Sequence, residues 1–579
     1  MSLIVMVVYK KLANVMVSVV VSYSSGSRFC LDGEDTGSSC YQTLCLKSRL
    51  SSIYLKYGPV CCCEIPGDYS VVYEEVASGR VFCMVSPTTT TKTVYYCINL
   101  EVFYFDFTFA GLQRKLNEKL SLSIEKIVNF LVLSRGEKPS STFFCGVEKV
   151  QAGCCLEFSR GSIKINRFWS FDGFQNKLYF RNSNDYYESF LEIFSSSIKR
   201  CIGHENSSVG AHLSGGLDSS SIVSMAANIL VDHGRKLFAF GSIPKNNSNY
   251  RSKLNWNLND GELMQSIANL YSNVNLVKVY GTDISPFDSA AFCIRYSDGP
   301  FINPGNMGWM AKIMLEASEK GVSKILTGQM GNFTISWEGV IGGPALFLSR
   351  LKNFIHSRIG TNNTQKSNEQ SNWWSRFSLF NPKHAKTYLP SRPMFCRSES
   401  TFDDPRVEYF STDNPIGDLC GSLSSLERAY SVQLLDPTFD QEVVEFCLSV
   451  PNKVFCHGRA PHKRRMLIRE SMRGILPETV RTRTTRGVQD PAWFLTLTKE
   501  LPLWHDMINT ASKHPIVQEL IDVPRAKKLL EEWPKIDIMQ ISDKEYARVE
   551  HEYKCMLIRG LHVMHWIHLV LTEGYGKSS

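Results

Sequence analysis

The sequence contains no C-x-x-C pair, although 18 of its 579 residues are cysteines. Zinc sites usually need such paired spacing, so a metal–thiolate centre is not expected. Disulfides are compatible with the number of cysteines alone. However, the cysteines are scattered among apolar neighbours in a long chain, and this pattern favours buried, reduced thiols.

Long apolar runs are also missing from the first part of the chain. Leu3–Tyr9 and Val15–Tyr23 are rich in valine, but Lys10 and Lys11 separate them, and each is far shorter than the roughly twenty residues of a membrane span. A signal peptide would carry its charge before its apolar core, whereas the first charge here follows the first run. We therefore expect two buried strands, no membrane span and a cytoplasmic location.

The net charge of +8 is modest for this length and does not by itself indicate a nucleic-acid partner. Most of the excess lies in residues 457–487, which contain nine Lys or Arg and two Glu. A solvated amphipathic helix explains such a segment. A nucleic-acid surface is not expected, because no aromatic side chains are interleaved with the charges.

The length predicts more than one domain, and the hydrophobic periodicity changes along the chain. Residues 1–175 contain short runs of Val, Tyr, Phe and Thr between Gly, Ser and Pro turns, with one helical stretch, and predict a β-rich domain. In residues 180–575 strands alternate with helices, which predicts an α/β domain with a doubly wound parallel sheet. A polar segment at about 356–378 is expected to be a mobile loop.

The segment HLSGGLDSS, residues 212–220, stands between a predicted strand and a predicted helix. Gly215 and Gly216 allow the backbone to approach a ligand closely, and the N–H groups of a helix N-terminus favour an anion. Asp218 would repel a phosphate unless a cation lay between them, so Mg²⁺ with a polyphosphate explains the pattern. The segment has no lysine and is therefore not the G-x-x-x-x-G-K-[ST] loop.

The SGGLDSS motif resembles the pyrophosphate loop of the asparagine synthetase-like ATP pyrophosphatases. In that family a substrate carboxylate attacks the α-phosphorus of ATP and gives an acyl-adenylate. The resemblance implies ATP and Mg²⁺ as cofactors, and a class II glutaminase-like (Ntn) domain ahead of the ATP pyrophosphatase domain. The ATP-binding residues that it implies are Leu213, Ser214, Gly215, Gly216, Leu217, Asp218, Ser219, Ser220, Gly241, Gly328 and Gln329.

The nucleophile of the family's glutaminase domain is a cysteine that methionine removal exposes. Position 2 here is Ser2, and the first cysteine is Cys30. A terminal serine can act as a nucleophile in principle, but we expect a degenerate glutaminase-like domain without one. The amine must then come from the substrate itself, as it does in β-lactam synthetases and lasso-peptide macrolactam synthetases.

Three further blocks resemble the lasso cyclases: SDGPFINPGNMGWMAKIMLEASEKG, ILTGQMGNFTISWEG, and LLDPTFDQEVVEFCLSVP with the later MRGILPETVRTRTTRGVQDPAW. The resemblance implies that an Asp or Glu side chain of a precursor peptide is adenylated and that the peptide's N-terminal amine closes a macrolactam. A leader-binding protein and a leader peptidase are the implied partners. A β-lactam synthetase, a glutamine-hydrolysing asparagine synthetase and an inactive interaction scaffold are the alternatives.

Asparagine synthetases carry G-E-G-x-D-E where this chain carries Gln329 and Asn332. Amide oxygens can ligate Mg²⁺, although more weakly than carboxylates. Asp218 and Asn332 are therefore the predicted metal ligands. The acids that could substitute for the second ligand are Asp298, Asp260 and Glu262.

The predicted catalytic residues are Asp218, Arg483, Arg486 and Glu442. The two arginines lie where the family has a lysine, and their forked guanidinium groups are expected to stabilise charge on the adenylate and pyrophosphate. An acid near DPTFDQEVVE is expected to orient the substrate or deprotonate the amine, with Asp436 and Asp440 as alternatives to Glu442.

Overall fold

The computed structural model describes residues 8–12, 15–23, 67–75, 78–133, 140–174, 178–203, 207–245, 256–257, 259–340, 373–376, 378–389, 404, 406–407, 410, 415–536 and 540–573. The predicted mobile loop at 356–378 lies almost entirely outside these residues, and so does Ser2. The predicted boundary between the two domains stays a prediction.

Antiparallel strands form the first part of the described chain. They are β1 Val8–Leu12, β2 Val15–Tyr23, β3 Tyr69–Glu75, β4 Arg80–Val85, β5 Tyr95–Asn99, β6 Val102–Asp106, β7 Glu148–Lys149, β8 Cys154–Ser159 and β9 Ser162–Arg167. One sheet has the order β1-β2-β3-β4-β8-β9 and the other the order β6-β5-β7. Alternate side chains of the two sheets, among them Val72, Cys83, Tyr96 and Leu156, meet in one core. We call this part the N-terminal sandwich.

The sandwich confirms the β-rich region that the sequence predicts, and its last hairpin, β8–β9, turns at Arg160–Gly161. The first strand is an exception: it comprises Val8–Leu12, so it contains both lysines and lies later than the predicted run Leu3–Tyr9. The predicted helical stretch LNEKLSLSIEKIVNFLVLSRG contains α2 Ile124–Leu133, and a further helix, α1 Phe109–Leu116, precedes it where strands were expected.

The second part of the chain contains the predicted parallel sheet. Its strands are β10 Ser208–His212, β11 Leu237–Ile243, β13 Val274–Tyr280, β14 Val322–Leu326 and β15 Gln433–Leu435, in the order β13-β11-β10-β14-β15. All the neighbouring pairs are parallel. The chain proceeds to one side of β10 and then to the other, so the loops after β10 and β14 meet at the point where a doubly wound sheet binds ligands. A separate short pair joins β12 Trp256–Asn257 to β16 Arg486–Gly487.

Helices cover the sheet and form the rest of the described chain. They are α3 Ser183–Ile202, α4 Leu217–Val231, α5 Gly261–Ala268, α6 Pro286–Ile294, α7 Met307–Glu319, α8 Ala385–Tyr388, α9 Pro415–Tyr430, α10 Gln441–Ser449, α11 Asn452–Phe455, α12 Met466–Ser471, α13 Glu478–Arg481, α14 Trp493–Lys499, α15 Leu501–Ala511, α16 Pro515–Leu520, α17 Val523–Glu531, α18 Asp543–Val549 and α19 Ile558–Thr572. Short 3₁₀ turns include Gly331–Phe333 and Pro437–Phe439.

The continuous helical segment Asp543–Thr572 is long and apolar enough to cross a membrane by composition, and 67% of its apolar window is buried inside the protein. Trp566 of α19 packs against Phe143 and Phe144, with ring centroids 5.2 and 5.9 Å apart. Because α19 packs against residues of the N-terminal part of the chain, its apolar composition is that of a buried core helix.

The cysteines whose side chains the structure describes are free thiols, as the sequence predicts. Those that are fully buried are Cys83, Cys97, Cys154, Cys155, Cys293 and Cys447. Burial raises the pKa of the Cys447 thiol to about 12, so this group is an inert part of the core.

Candidate active site

The loop Leu213–Gly216 connects β10 to α4 at the centre of the parallel sheet. The Leu213 N–H donates to the Phe240 carbonyl of β11 at 2.8 Å, which fixes the start of the loop. A Cβ on Gly241, the next residue of β11, would lie 2.8 Å from the Leu213 carbonyl oxygen. Glycine at 241 therefore lets the strand approach the loop. This gives Gly241, predicted as an ATP-binding residue, a role in shaping the loop.

Gly215 adopts a φ of +70°, and a Cβ on it would lie 3.1 Å from Cβ of Asp260. The loop is closed by Ser219, whose hydroxyl accepts the Ser214 N–H at 3.0 Å and lies 2.9 Å from the Ser214 hydroxyl. The residues predicted to cradle a polyphosphate thus form a tight turn at a helix N-terminus.

Asp218 lies in the first turn of α4, and its carboxylate packs against the turn after β14. A Cβ on Gly331 would lie 2.6 Å from Oδ1 of Asp218, and one on Gly328 would lie 3.0 Å from Cβ of Asp218. Oδ1 has no hydrogen-bond partner among the described residues. Burial raises the pKa of Asp218, and the Ser336 hydroxyl and the charge of Arg465 offset this rise only in part.

A carboxylate with an unpartnered oxygen beside an anion loop fits Mg²⁺ that arrives with a polyphosphate. Mg²⁺ is usually bound through one or two carboxylates together with substrate phosphates. The described part of the chain holds no group of three Cys, His, Asp or Glu side chains that could form a protein-only metal site. Asn332, the predicted second ligand, is exposed and follows Gly331 directly.

The acids proposed as substitutes for Asn332 have other partners or lie at the surface. The Asp298 carboxylate pairs with the Lys149 ammonium at 2.7 Å, on the side of the sandwich. Asp260 pairs with Arg483, and Glu262 is exposed. In this arrangement the Asp298 and Asp260 carboxylates thus bind cationic side chains, and a metal ligand at either position stays a prediction.

Asp436, at the end of β15, holds the turn that contains Gly331. Its Oδ2 accepts the Met330 N–H at 2.8 Å, and its Oδ1 accepts the N–H and hydroxyl of Thr438 at 2.9 and 2.6 Å. Burial raises the pKa of Asp436 to about 7, and the nearby charge of Asp218 adds to the rise. Of the acids near DPTFDQEVVE, Asp436 is thus the one that bonds to the turn beside Asp218.

Asp436 should make the stability of the protein fall as the pH rises. A carboxyl group with a pKa of about 7 in the folded state and about 3.8 in the unfolded state favours folding while protonated, so the free energy of unfolding should decrease between about pH 4 and 7. Asp436→Asn should remove that part of the slope. Denaturant titrations of both proteins at about pH 5 and 7.5 measure it, and equal slopes would contradict the assignment.

Arg483 reaches the loop, as predicted, but its guanidinium is already occupied. Nη1 and Nη2 donate to the two oxygens of Asp260 at 2.9 and 2.8 Å, and Nη1 also donates to the Gly215 carbonyl at 3.2 Å. The Arg483 and Asp260 side chains are only 8% and 6% exposed. Arg483 therefore anchors the loop, with its charge neutralised by Asp260, instead of facing a ligand as a free cation.

Arg483→Met should lower the free energy of unfolding by about 3 kcal/mol, because it leaves the buried Asp260 carboxylate without its partner. The double variant Asp260→Asn/Arg483→Met should recover part of this loss. Chemical denaturation of the three proteins measures the effect. A loss no larger in the single variant than in the double variant would show that the pair does not hold the loop.

Arg486 is exposed and belongs to a cluster around Glu338. Arg486 and Arg465 donate to Oε1 of Glu338 at 2.6 and 2.8 Å, and Arg464 donates to Oε2 at 3.3 Å. Burial would raise the pKa of Glu338, but the hydrogen bonds from Arg465 and Arg486 outweigh it and hold the pKa below its usual value. Three guanidinium groups on one carboxylate leave an excess of positive charge. The charge of Arg465 acts on Asp218 and lowers the pKa of that carboxyl group. The backbone of Arg465 has a φ of +61°, a strained conformation for a residue other than glycine.

Glu442, predicted to be catalytic, lies at the start of α10 and pairs with Arg200 at 2.7 Å. Asp440 caps the same helix by accepting the Glu442 N–H, and it also pairs with Arg200. Glu442 therefore contacts the half-buried Arg200 and not the loop. Sequence spacing could not distinguish it from Asp436, which lies six residues earlier.

Four further predicted ATP-binding residues differ in their surroundings. Ser220 is fully buried, its N–H donates to the Gly216 carbonyl at 3.0 Å, and its hydroxyl has no hydrogen-bond partner among the described residues. A contact between Ser220 and ATP stays a prediction. Gln329 is exposed beside Met330, where a ligand could reach it. Leu213 and Leu217 are buried and could contribute only their backbone.

The family described as asparagine synthase matches residues 189–262 and 409–568 of this chain. The matched residues include the loop, Asp218, Asp436 and the arginine-rich segment. In these two ranges the chain is thus similar to the asparagine synthase family, and this similarity supports an ATP-dependent amide ligase. The N-terminal sandwich lies outside the match.

Two solved structures show a weak likeness. NMN synthetase from Francisella tularensis is 16% identical, with 27% of this chain and 58% of that chain covered and a TM-score of 0.17. The allosteric regulatory enzyme of purine biosynthesis is 9% identical, with 47% of this chain and 61% of that chain covered and a TM-score of 0.18. The chain thus spans about three fifths of the length of each. The comparison with curated proteins gives no match.

Proposed function

We propose that this protein is an ATP-dependent amide ligase that closes a macrolactam ring in a peptide of the lasso type. The observation that carries the proposal is the position of Asp218, a carboxylate with an unpartnered oxygen at the start of the helix that follows a glycine-rich anion loop. The asparagine synthase match supports ATP-dependent amide formation as the class of reaction. The peptide substrate rests on the three sequence blocks that resemble lasso cyclases.

The proposed reaction has two steps. A side-chain carboxylate of the peptide attacks the α-phosphorus of ATP, which forms an acyl-adenylate and releases pyrophosphate. The N-terminal amine of the same peptide then attacks the acyl carbon; the amide bond forms, AMP leaves and the amine loses a proton. The site contributes proximity by holding the amine and the activated carboxyl group of one folded peptide together.

Each of the described site residues would have a separate role in this reaction. The backbone of Ser214–Gly216 would receive the phosphate chain, and Asp218 would hold Mg²⁺, which offsets phosphate charge when bound. Arg465 and Arg486 would add positive charge beside the carboxylate. Asp436 would keep the turn at Gly331 in place.

The proposed reaction requires two partner proteins. A peptide whose N-terminal amine is free must first lose its leader, so a leader-binding protein and a leader peptidase would act before this enzyme. Both belong to the proposal, as does a cytoplasmic location. They could be tested by co-purification once a precursor peptide is known.

The proposed function can be tested by incubating the protein with Mg·ATP and a candidate leaderless peptide. The expected products are AMP, pyrophosphate and a peptide lighter by one water. A matched peptide with the acceptor Asp or Glu replaced by Asn or Gln should give no AMP. Formation of AMP from aspartate and ammonia, and from none of the peptides, would instead support an asparagine synthetase. Formation of AMP together with cyclisation of a small amino acid would support a β-lactam synthetase. If no carboxylate gave AMP, the result would support an inactive interaction scaffold.

A further inference from the structure

Strand β15 connects the candidate active site to the N-terminal sandwich. Asp436 at its end holds the Met330 N–H of the turn beside Asp218. The N–H of Leu434, within β15, donates to Oε1 of Glu427 on α9 at 2.8 Å. The strand is therefore fixed by a side chain of a neighbouring helix as well as by its pairing with β14.

Glu427 in turn bonds to the sandwich. Its Oε2 accepts a hydrogen bond from the Lys92 ammonium at 3.2 Å. Lys92 lies between β4 and β5, and the two side chains are only 12% and 10% exposed. Poor solvation strengthens this pair relative to an exposed one, and loss of either partner would leave a nearly buried charge.

Asp436 and the sandwich residues Asp68 and Thr90 line one cavity of about 60 Å³. The position of the aspartate is set by its own bonds to Met330 and Thr438 and by strand β15, which Glu427 holds through the Leu434 N–H.

We propose that Lys92 is a positioning residue for the active site. Through Glu427 it fixes β15, and through Asp436 it fixes the turn that holds Gly331 against Asp218. Lys92 would thus give the sandwich a positioning function in the ligase, which does not depend on a glutaminase nucleophile. The effect on turnover rests on the proposed function, whereas the effect on the turn itself does not.

The same interface offers a matched control. Lys149 of the sandwich pairs with Asp298 at 2.7 Å, and these side chains are 16% and 4% exposed. Asp298 lies in the segment after α6, and its Oδ1 faces Gly421 of α9 without bonding to Glu427 or β15. Lys149→Met thus breaks a comparable pair between the same two parts of the molecule and leaves the bonds from Lys92 through Glu427 to β15 in place.

The first measurement is hydrogen–deuterium exchange of the peptides that cover residues 328–336 and 433–438. Lys92→Met should speed exchange in both by about tenfold, because the β15 contact that Glu427 provides is weakened. Lys149→Met should leave both unchanged. Equal exchange in the two variants would overturn the proposal, whether or not the protein forms AMP under the conditions used.

The second measurement is the rate of AMP formation. Lys92→Met should lower kcat by about tenfold with little change in the KM for ATP, because the loop that binds ATP is intact while the turn beside Asp218 is displaced. Lys92→Arg should restore most of kcat. Equal losses in Lys92→Met and Lys149→Met, or no rescue by arginine, would show that Lys92 only holds the two parts of the chain together. No AMP from the wild-type protein would contradict the proposed function instead, and exchange alone would then decide the inference.

Discussion

Replacing Asp218 with asparagine is expected to lower ATP-dependent AMP formation by at least about 100-fold, since several kcal/mol of charge stabilisation by a bound metal are lost with the carboxylate. The fold should survive. Burial raises the pKa of Asp218, so the ionised group is poorly solvated in the folded protein, and a neutral amide of the same shape should leave the free energy of unfolding unchanged or higher.

The matched control for this variant is Asp232→Asn, an exposed acid at the other end of the same helix. It should keep wild-type activity. AMP formation in the Asp218→Asn protein above about a tenth of the wild-type rate would remove Asp218 from the role of metal ligand. Denaturation curves of both variants separate a loss of chemistry from a loss of folding.

The second large effect is expected for Gly331→Ala. The new Cβ would lie 2.6 Å from Oδ1 of Asp218, so either the carboxylate or the turn must move. We expect AMP formation to fall by about 100-fold, because a displacement of about 1 Å near the reacting groups can cost that much. Overpacking should also lower the free energy of unfolding by about 1–3 kcal/mol.

Alanine variants of two other glycines serve as comparisons for Gly331→Ala. Gly328→Ala would place its Cβ 3.0 Å from Cβ of Asp218 and should have a smaller effect, whereas Gly305 has no neighbour within 4 Å and its alanine variant should be fully active. The expected order of activity is thus Gly305→Ala, Gly328→Ala, Gly331→Ala. A Gly331→Ala protein as active as the Gly305→Ala protein would show that the contact with Asp218 is not needed.

The loop itself could be predicted from the sequence because its signals are local. Two glycines, an aspartate and a following apolar period lie within about twenty residues, and the structure has the expected strand, turn and helix there. The parallel sheet could be predicted for the same reason. Strand β15 could not, because Gln433–Leu435 is too short to show any periodicity.

The partners of the charged residues could not be predicted either. The sequence predicts that Arg483 faces phosphate, but it pairs with Asp260, which is 223 residues earlier in the chain. Glu338 accepts hydrogen bonds from three arginines, but nothing in the sequence indicates this. Only the fold shows which arginines face it. Asp436 and Glu442 are alternatives in the sequence, and only the bond from Met330 to Asp436 distinguishes them.

The helical segment Asp543–Thr572 has a practical consequence for making the protein. A fragment restricted to residues 180–575 would lack Phe143 and Phe144, and the side of Trp566 that they cover would become exposed apolar surface. Because 67% of the apolar window of this segment is buried in the full chain, we expect such a fragment to be less soluble than the full chain. The two parts of the chain should therefore be expressed together.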